Sequence, residues 1–352
     1  MNDDYLKSVL SEIEGILHHP AYLVGGLPRD FLLGRDVANS DVDLCSSLYP
    51  NSVTDLFRAA GRKAVGKGNK FGTVFTKIQL EGKYIPVEVT TFRTEVYQEG
   101  SRKPLVTYSD NLFEDLSRRD FTVNAIAIRL KGDHLHIIDP HGGQPDLEGC
   151  VLRSVGTPKR MFKDDPLRLL RMVRIASKLD FWVEDSTYAA ARGLIHRLSM
   201  LSRERIVEEM DKILQLKDPT RALSMLMDLK AFNFFMPAVQ AMEGFDQHNP
   251  YHSNNLWEHT MKTVAVIPSS ELDLRWAALL HDTGKLTSQT WKSEGHARYI
   301  KHDLVSAVIA EQVCTYLKMS NQRRFAIVTT VRDHQNDDCN PMFRSADWTA
   351  KR

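Results

Sequence analysis

The stretch from Tyr22 to Cys45, YLVGGLPRDFLLGRDVANSDVDLC, decides how the rest of the chain is read. It opens as a short apolar strand, turns through Gly25 and Gly26 into the start of a helix, and returns as a strand carrying Asp41 and Asp43. Residues two apart in a strand point the same way, so the two carboxylates project together while Val42 and Leu44 face a core. Carboxylates held that close repel unless a cation lies between them, and an all-oxygen ligand set suits Mg²⁺. The glycine pair lets backbone approach a ligand closely, and the N–H groups at a helix start can face a phosphate. A lone D-x-D is most often a solvated loop. Here the glycine pair, Arg29-Asp30 and the strand–helix–strand context point instead to nucleotidyl transfer, with Asp41 and Asp43 as metal-holding catalytic residues and Gly25, Gly26 and Arg29 at the nucleotide.

The order GG…RD…LLG…DVD resembles the opening motif of the polymerase-β-type nucleotidyltransferases, in the bacterial (class II) branch that contains tRNA CCA-adding enzymes and poly(A) polymerases. The resemblance implies an α+β chain: a small mixed-sheet catalytic head, an all-α neck and body, and an α-helical HD domain. The expected boundaries are 1–152 for the head, 153–240 for the neck and 241–352 for the HD domain, the last cut short at its C-terminus.

Composition bounds the reading without deciding it. A chain of 352 residues holds two or three domains, and no apolar run approaches the ~18 residues of a membrane span. The N-terminus, MNDDYLKSVL, lacks the basic-then-apolar order of a signal peptide, so a cytoplasmic location is expected. Cys45, Cys150, Cys314 and Cys339 form no C-x-x-C pair and read as incidental thiols. A net charge of +1 does not announce a nucleic-acid binder, so any basic surface is local.

In chain order, Tyr5 to Leu17 has helical apolar spacing, and Ser52 to Ala60 reads as a helix with a Ser or Thr cap. Gly61 to Gly68, GRKAVGKG, nearly fits a phosphate-binding loop. Gly68 stands where the hydroxyl residue belongs, so a turn into the strand Phe71–Leu80 is expected, with Lys67 and Lys70 within reach of phosphate. The next strand, Tyr84–Thr91, sets Glu88 opposite in face to Val87 and Val89, as a third metal or base carboxylate. Phe92 to Asn111 is a long polar connection with little periodicity; it resembles the family's flexible loop, implied in the change from C to A addition. Leu116 to Ala127, LSRRDFTVNAIA, matches the family motif RRDFTxNA. Arginine suits triphosphate oxygens and small polar groups suit a ribose, which places Arg119, Asp120 and Asn124 at the nucleotide; Arg118 reads equally as a surface ion pair.

Beyond Arg153 to Pro158 helical patterning dominates. Within Phe162 to Leu179, Asp164 or Asp165 reads as the cap of a helix that has Pro166 in its first turn and an apolar stripe from Leu167 to Leu179, and DDPLR resembles the family's E-D-x-x-R motif with Asp164 in place of the glutamate. The resemblance puts Asp165 and Arg168 at the nucleobase. Arg171 and Arg174 follow on the same helix, at the nucleotide or along RNA. Ser202 to Leu214 resembles the motif S-x-E-R-I-x-x-E and reads as mostly structural.

From Phe245 onward histidines gather: His248, His252, His259, His281, His296, His302 and His334. LWEHTMKTV followed by AALLHDTGK looks like an HD domain, a helical metal-binding phosphohydrolase fold. The resemblance implies His259, His281, Asp282 and His302 as ligands of a transition metal such as Mn²⁺ or Ni²⁺, in a mixed N/O site. The expected function is template-independent addition of CCA to tRNA 3′ ends from CTP and ATP. A poly(A) polymerase or a C-only or A-only enzyme is the alternative within the class, and an HD-domain phosphohydrolase the alternative outside it.

Overall fold

The computed structural model of the chain describes residues 2–38, 40–66, 72–80, 82–96, 105–248, 255–292 and 296–335. The expectations at Lys67, Lys70, His252, Cys339, the middle of the 92–111 connection and the C-terminal end fall outside them. The chain divides into two units, Met1–Asp165 with Trp182–Tyr188, and Pro166–Phe181 with Ala189–Arg352.

The first unit is built on a mixed sheet of β1 (Tyr22–Leu23), β2 (Val42–Ser46), β3 (Val65–Gly66), β4 (Thr73–Leu80) and β5 (Lys83–Thr91), joined by β8 (Ala127–Lys131) and β9 (His134–Ile138). The order is β3-β4-β5-β2-β1-β8-β9, with β2 and β5 parallel and their neighbours antiparallel. Helix α1 (Asn2–Leu17) buries Leu6, Val9, Leu10, Ile13 and Leu17, its apolar stripe, in one core with Val42, Leu44, Val87 and Val89 of the sheet. Helix α3 (Pro50–Ala59) adds Val53 and Phe57 to the same core. Each such side chain contributes about 1.5–3 kcal/mol through the apolar area removed from water. This core occupies one face of β2 and β5, so Asp43 and Glu88 are left on the other.

Three local expectations are corrected. Helix α3 has no Ser or Thr cap; Tyr49 is its N-cap, and Pro50 in the first turn needs no N–H partner. The stretch 162–179 is two helices, α6 (Pro158–Asp164) and α7 (Leu167–Leu179), with neither aspartate capping α7. Asp165 between them is extended (φ −138°, ψ 104°), because the ring of Pro166 disfavours helical backbone in the residue before it. Finally, the ends of the 92–111 connection form a hairpin of β6 (Arg93–Val96) and β7 (Leu105–Tyr108), in register Arg93↔Tyr108 and Val96↔Leu105. Helix α4 (Leu112–Ser117) follows, capped by the Asn111 side chain on Phe113 N–H.

The second unit is helical. The elements that matter for chemistry are α7, α9 (Arg203–Leu214), α12 (Leu256–Val266), α13 (Leu272–Leu280), α15 (His302–Tyr316) and α16 (Asn321–Arg332). Arg275 on α13 is buried and donates to the carbonyl oxygens of Leu214, Leu216 and Ile267, satisfying the last turn of α9. Trp276 Nε1 and the Arg323 guanidinium both donate to Asp211 of α9, tying α9 to α13 and α16. No helix among the described residues is long and apolar enough to cross a membrane.

Candidate active site

Asp41 is exposed at the mouth of β2, and Asp43 is half-buried two residues on, with Val42 and Leu44 buried between and after them. The parallel ladder pairs Asp43 with Glu88 of β5, which places the exposed glutamate beside the aspartate on the same face. Burial pushes the Asp43 carboxyl up, Arg119 opposes that shift, and the charge of Asp41 adds to it. A cation between the acids relieves both the burial cost and the repulsion, so this all-oxygen donor set fits Mg²⁺.

Gly25 lies against the acids. Its backbone is left-handed (φ +78°), and a Cβ there would stand 3.3 Å from Asp43 Oδ2 and 3.9 Å from Arg119 Nη1. Gly26 opens α2 (Gly26–Leu32) beneath the Arg29 guanidinium. Arg29 is buried; it grips Asp30 through Nε and Nη2 (3.0 and 2.8 Å) and donates from Nη1 to Asn124 Oδ1 at 2.7 Å. Asn124 in turn donates to Asp120 Oδ1 at 3.3 Å. Arg29, Asp120 and Asn124 are thus one buried polar network behind the glycine turn. Such a network rigidifies the turn it supports.

Arg118 and Arg119 share one carboxylate. Asp115, fully buried on α4, accepts from Arg118 Nε and Nη2 at Oδ1 (3.0 and 2.6 Å) and from Arg119 Nη2 at Oδ2 (2.9 Å). Burial alone would raise the Asp115 carboxyl, but the two guanidinium groups hold it below the usual range. Arg118 also reaches Glu95 of the hairpin at 3.2 Å, and Glu95 takes Arg93 at 3.0 Å. Asp115 and Glu95 went unassigned in the sequence. The signal for Asp115 was present, since it precedes the two arginines by three and four residues.

Of the other expected nucleotide residues, Asp165 lies in the first unit, while Arg168, Arg171 and Arg174 lie on α7 in the second. Arg174 donates from Nε to the buried Glu209 of α9 at 2.7 Å, so the S-x-E-R-I-x-x-E stretch carries a helix-to-helix ion pair.

A second cluster lies wholly in the second unit. Asp282 is buried and its two oxygens face different imidazoles. Oδ2 lies 3.3 Å from His259 Nε2 and 3.1 Å from His281 Nε2; Oδ1 lies 3.0 Å from His302 Nε2 and 3.7 Å from His334 Nε2. The Nδ1 groups of His281, His302 and His334 donate to the carbonyls of Ala278, Tyr299 and Val331 at 2.7, 2.8 and 2.6 Å. A carbonyl only accepts, so a neutral ring held this way turns an Nε2 lone pair inward. Lone pairs turned toward one another repel; a cation removes the repulsion, and the N/O donor set fits a transition metal. Burial brings the His281 imidazole down to about 4, which keeps it neutral for ligation. Lys285 donates to Asp282 Oδ2 at 2.8 Å and to Gln247 Oε1 at 3.0 Å. His334 is the member the sequence reading did not assign; like His281, it stands just past the end of a helix.

A model of the Poly A polymerase head domain matches residues 21–153, one of the probable RNA and SrmB-binding site of polymerase A matches 180–242, and the HD domain matches 251–340. Over 246 residues the chain is 38% identical to a CCA-adding enzyme of Geobacillus sp. (strain WCH70), covering 69% of this chain and 57% of that one. It is 41% identical to a CCA-adding enzyme of Pediococcus pentosaceus, over 66% of this chain and 56% of that one. The chain thus spans little more than half the length of these curated relatives. A solved structure of the Bacillus stearothermophilus CCA-adding enzyme in complex with CTP shares the fold with a TM-score of 0.59 and 26% identity, covering 94% of this chain and 78% of that one. Nucleotidyltransferase head and HD domain are both metal-dependent families, in keeping with the two donor sets. In chain order, then, this protein carries a Poly A polymerase head domain, a segment matching the probable RNA and SrmB-binding site of polymerase A, and an HD domain, and over about two thirds of its length it is similar to bacterial CCA-adding enzymes.

Proposed function

We propose that this chain is a cytoplasmic, template-independent tRNA nucleotidyltransferase that adds C, C and A to tRNA 3′ ends from CTP and ATP. The observation that carries the proposal is the Asp41–Asp43 pair beside Glu88, with Arg119 and the Gly25 turn against Asp43. Asp41 and Asp43 would hold Mg²⁺, which supplies Lewis-acid activation of the attacking 3′ hydroxyl and neutralises charge on the leaving pyrophosphate. Glu88 completes the acidic face, as a third metal carboxylate or a base for the hydroxyl. Arg119 offers its guanidinium to the triphosphate, while Arg29, Asp120 and Asn124 hold the turn and the ribose side. Asp165 and Arg168 choose the base, and Arg171 and Arg174 flank the nucleotide or RNA. In this reading 1–152 is the catalytic head, 153–240 the neck and 241–352 the HD domain.

Incorporation of labelled CTP and ATP into tRNA lacking its 3′ end, with product length read on a gel, tests the proposal. Three added nucleotides support it. A long A tail marks a poly(A) polymerase, a stop after one base type a partial enzyme, and no extension removes nucleotidyl transfer. A second activity is favoured by the four imidazoles around Asp282: hydrolysis of phosphoesters with Mn²⁺ or Ni²⁺ held by His259, His281, Asp282 and His302. Metal-stimulated phosphatase activity that survives both His281→Ala and Asp282→Ala would refute it.

A further inference from the structure

Arg119 stands between two acidic groups with opposite demands on it. On one side is Asp115; on the other are the carboxylates that the nucleotidyltransfer reading, on which this inference rests, gives to Mg²⁺. A guanidinium beside bare carboxylates binds them through its planar fork and so competes with the cation. Arg119 Nη1 and Asp43 Oδ2 both border the same point beside Gly25, at 3.9 and 3.3 Å, so the anchoring of the guanidinium bears directly on whether it closes on Asp43.

That anchoring is Asp115. It has no solvent exposure, is fixed on a capped helix, and is saturated by the two arginines, one on each oxygen. Arg118 is held from its far side by Glu95, so Asp115 cannot follow Arg119 toward the acids. Arg119 Nε is buried without a hydrogen-bond partner among the described residues, a donor left over once Asp115 has taken Nη2. We propose that Asp115 is a positioning residue: it holds Arg119 off the Asp41–Asp43 pair, so that the acids stay open to Mg²⁺ and the guanidinium stays open to triphosphate.

The test is equilibrium binding of a non-hydrolysable CTP analogue to the full chain across a Mg²⁺ titration, without tRNA and in an Asp282→Ala background that silences the second cluster. Asp115→Asn is expected to raise the half-saturating Mg²⁺ roughly tenfold, within the range of coupled neighbours, with affinity for the analogue recovering at high Mg²⁺. Arg119→Gln binds the analogue weakly, and adding Asp115→Asn to it produces no further shift in Mg²⁺. Should Asp115→Asn lose its melting transition, Arg119→Lys decides: an ammonium lacks the fork that serves Asp115 and phosphate together, so its Mg²⁺ requirement rises as well. An unchanged Mg²⁺ requirement in Asp115→Asn, or an equal shift with and without Arg119, overturns the tether and leaves nucleotidyl transfer standing. No Mg²⁺-dependent binding by the parent chain overturns both.

Discussion

Asp43 is pressed toward protonation by burial, toward charge by Arg119 and back toward protonation by Asp41, a balance that a cation bound there would tip to the charged form. Asp41→Ala and Asp43→Ala are each expected to reduce incorporation to background while the melting curve stays near that of the parent, because both side chains lie outside the hydrophobic core. Near-normal incorporation by either variant would remove it from the chemistry. The proposed base-choosing role of Asp165 and Arg168 is tested differently. Cytosine and adenine both offer an exocyclic amine beside a ring-nitrogen acceptor, which suits a carboxylate and a guanidinium; guanine and uracil present the reverse. A site built on those hydrogen bonds rejects the mismatched base by as much as ~10⁴–10⁵. Comparing kcat/KM for the four triphosphates, Asp165→Ala and Arg168→Ala are expected to erase most of that preference, and an unchanged preference in both would end the assignment. At this scale the sequence was readable where chemistry needs a rare local pattern, as in D-x-D or RRD. It was silent on Glu95, whose partner Arg118 lies 23 residues away.

Elements were legible in proportion to their length. Helix α1 shows five buried residues at helical spacing, whereas the hairpin β6–β7 has four residues a side, too few for period-two alternation to stand out. The break between α6 and α7 hid behind Pro166, which reads equally as a first-turn residue or a breaker. The α7–α9 pairing gives a prediction of its own. Burial would raise the Glu209 carboxyl, but Arg174 and Lys212 hold it below the usual range. A carboxylate depressed in the folded state stabilises above its ordinary range, and that contribution is lost as pH falls through the lowered value. Glu209→Gln is therefore expected to cost about 1–3 kcal/mol near neutral pH, mostly from the Arg174 guanidinium losing the negative charge of its acceptor. Denaturant unfolding against pH checks this: the difference between variant and parent shrinks in acid, and a pH-independent difference would contradict it.

At the scale of the whole chain, the two donor sets sit in different units and make different demands. A metal that binds only folded protein adds about 2.7 kcal/mol of stability at a free concentration a hundredfold above its Kd. Scanning calorimetry with and without chelator is expected to lower the transition of the second unit, and Asp282→Ala to abolish that response. A chelator effect that persists in Asp282→Ala would place the stabilising metal elsewhere. The sequence brought four members of this cluster within reach, but His334 had no local pattern to mark it. The packing of α16 against α13 and α15 carries it to Asp282.

The register Asp43↔Glu88 also says where the head accepts new chain. The ladder between β2 and β5, not the length of what joins them, sets those acids side by side. The exposed left-handed turn at Gly61 (φ +72°), between α3 and β3, is thus a port for a peptide tag or fluorophore that leaves incorporation intact. Deleting a single residue within Val42–Ser46 does the reverse. It turns Asp43 into the apolar layer and Val42 or Leu44 out of it, so the smallest edit in the head is the one it tolerates least.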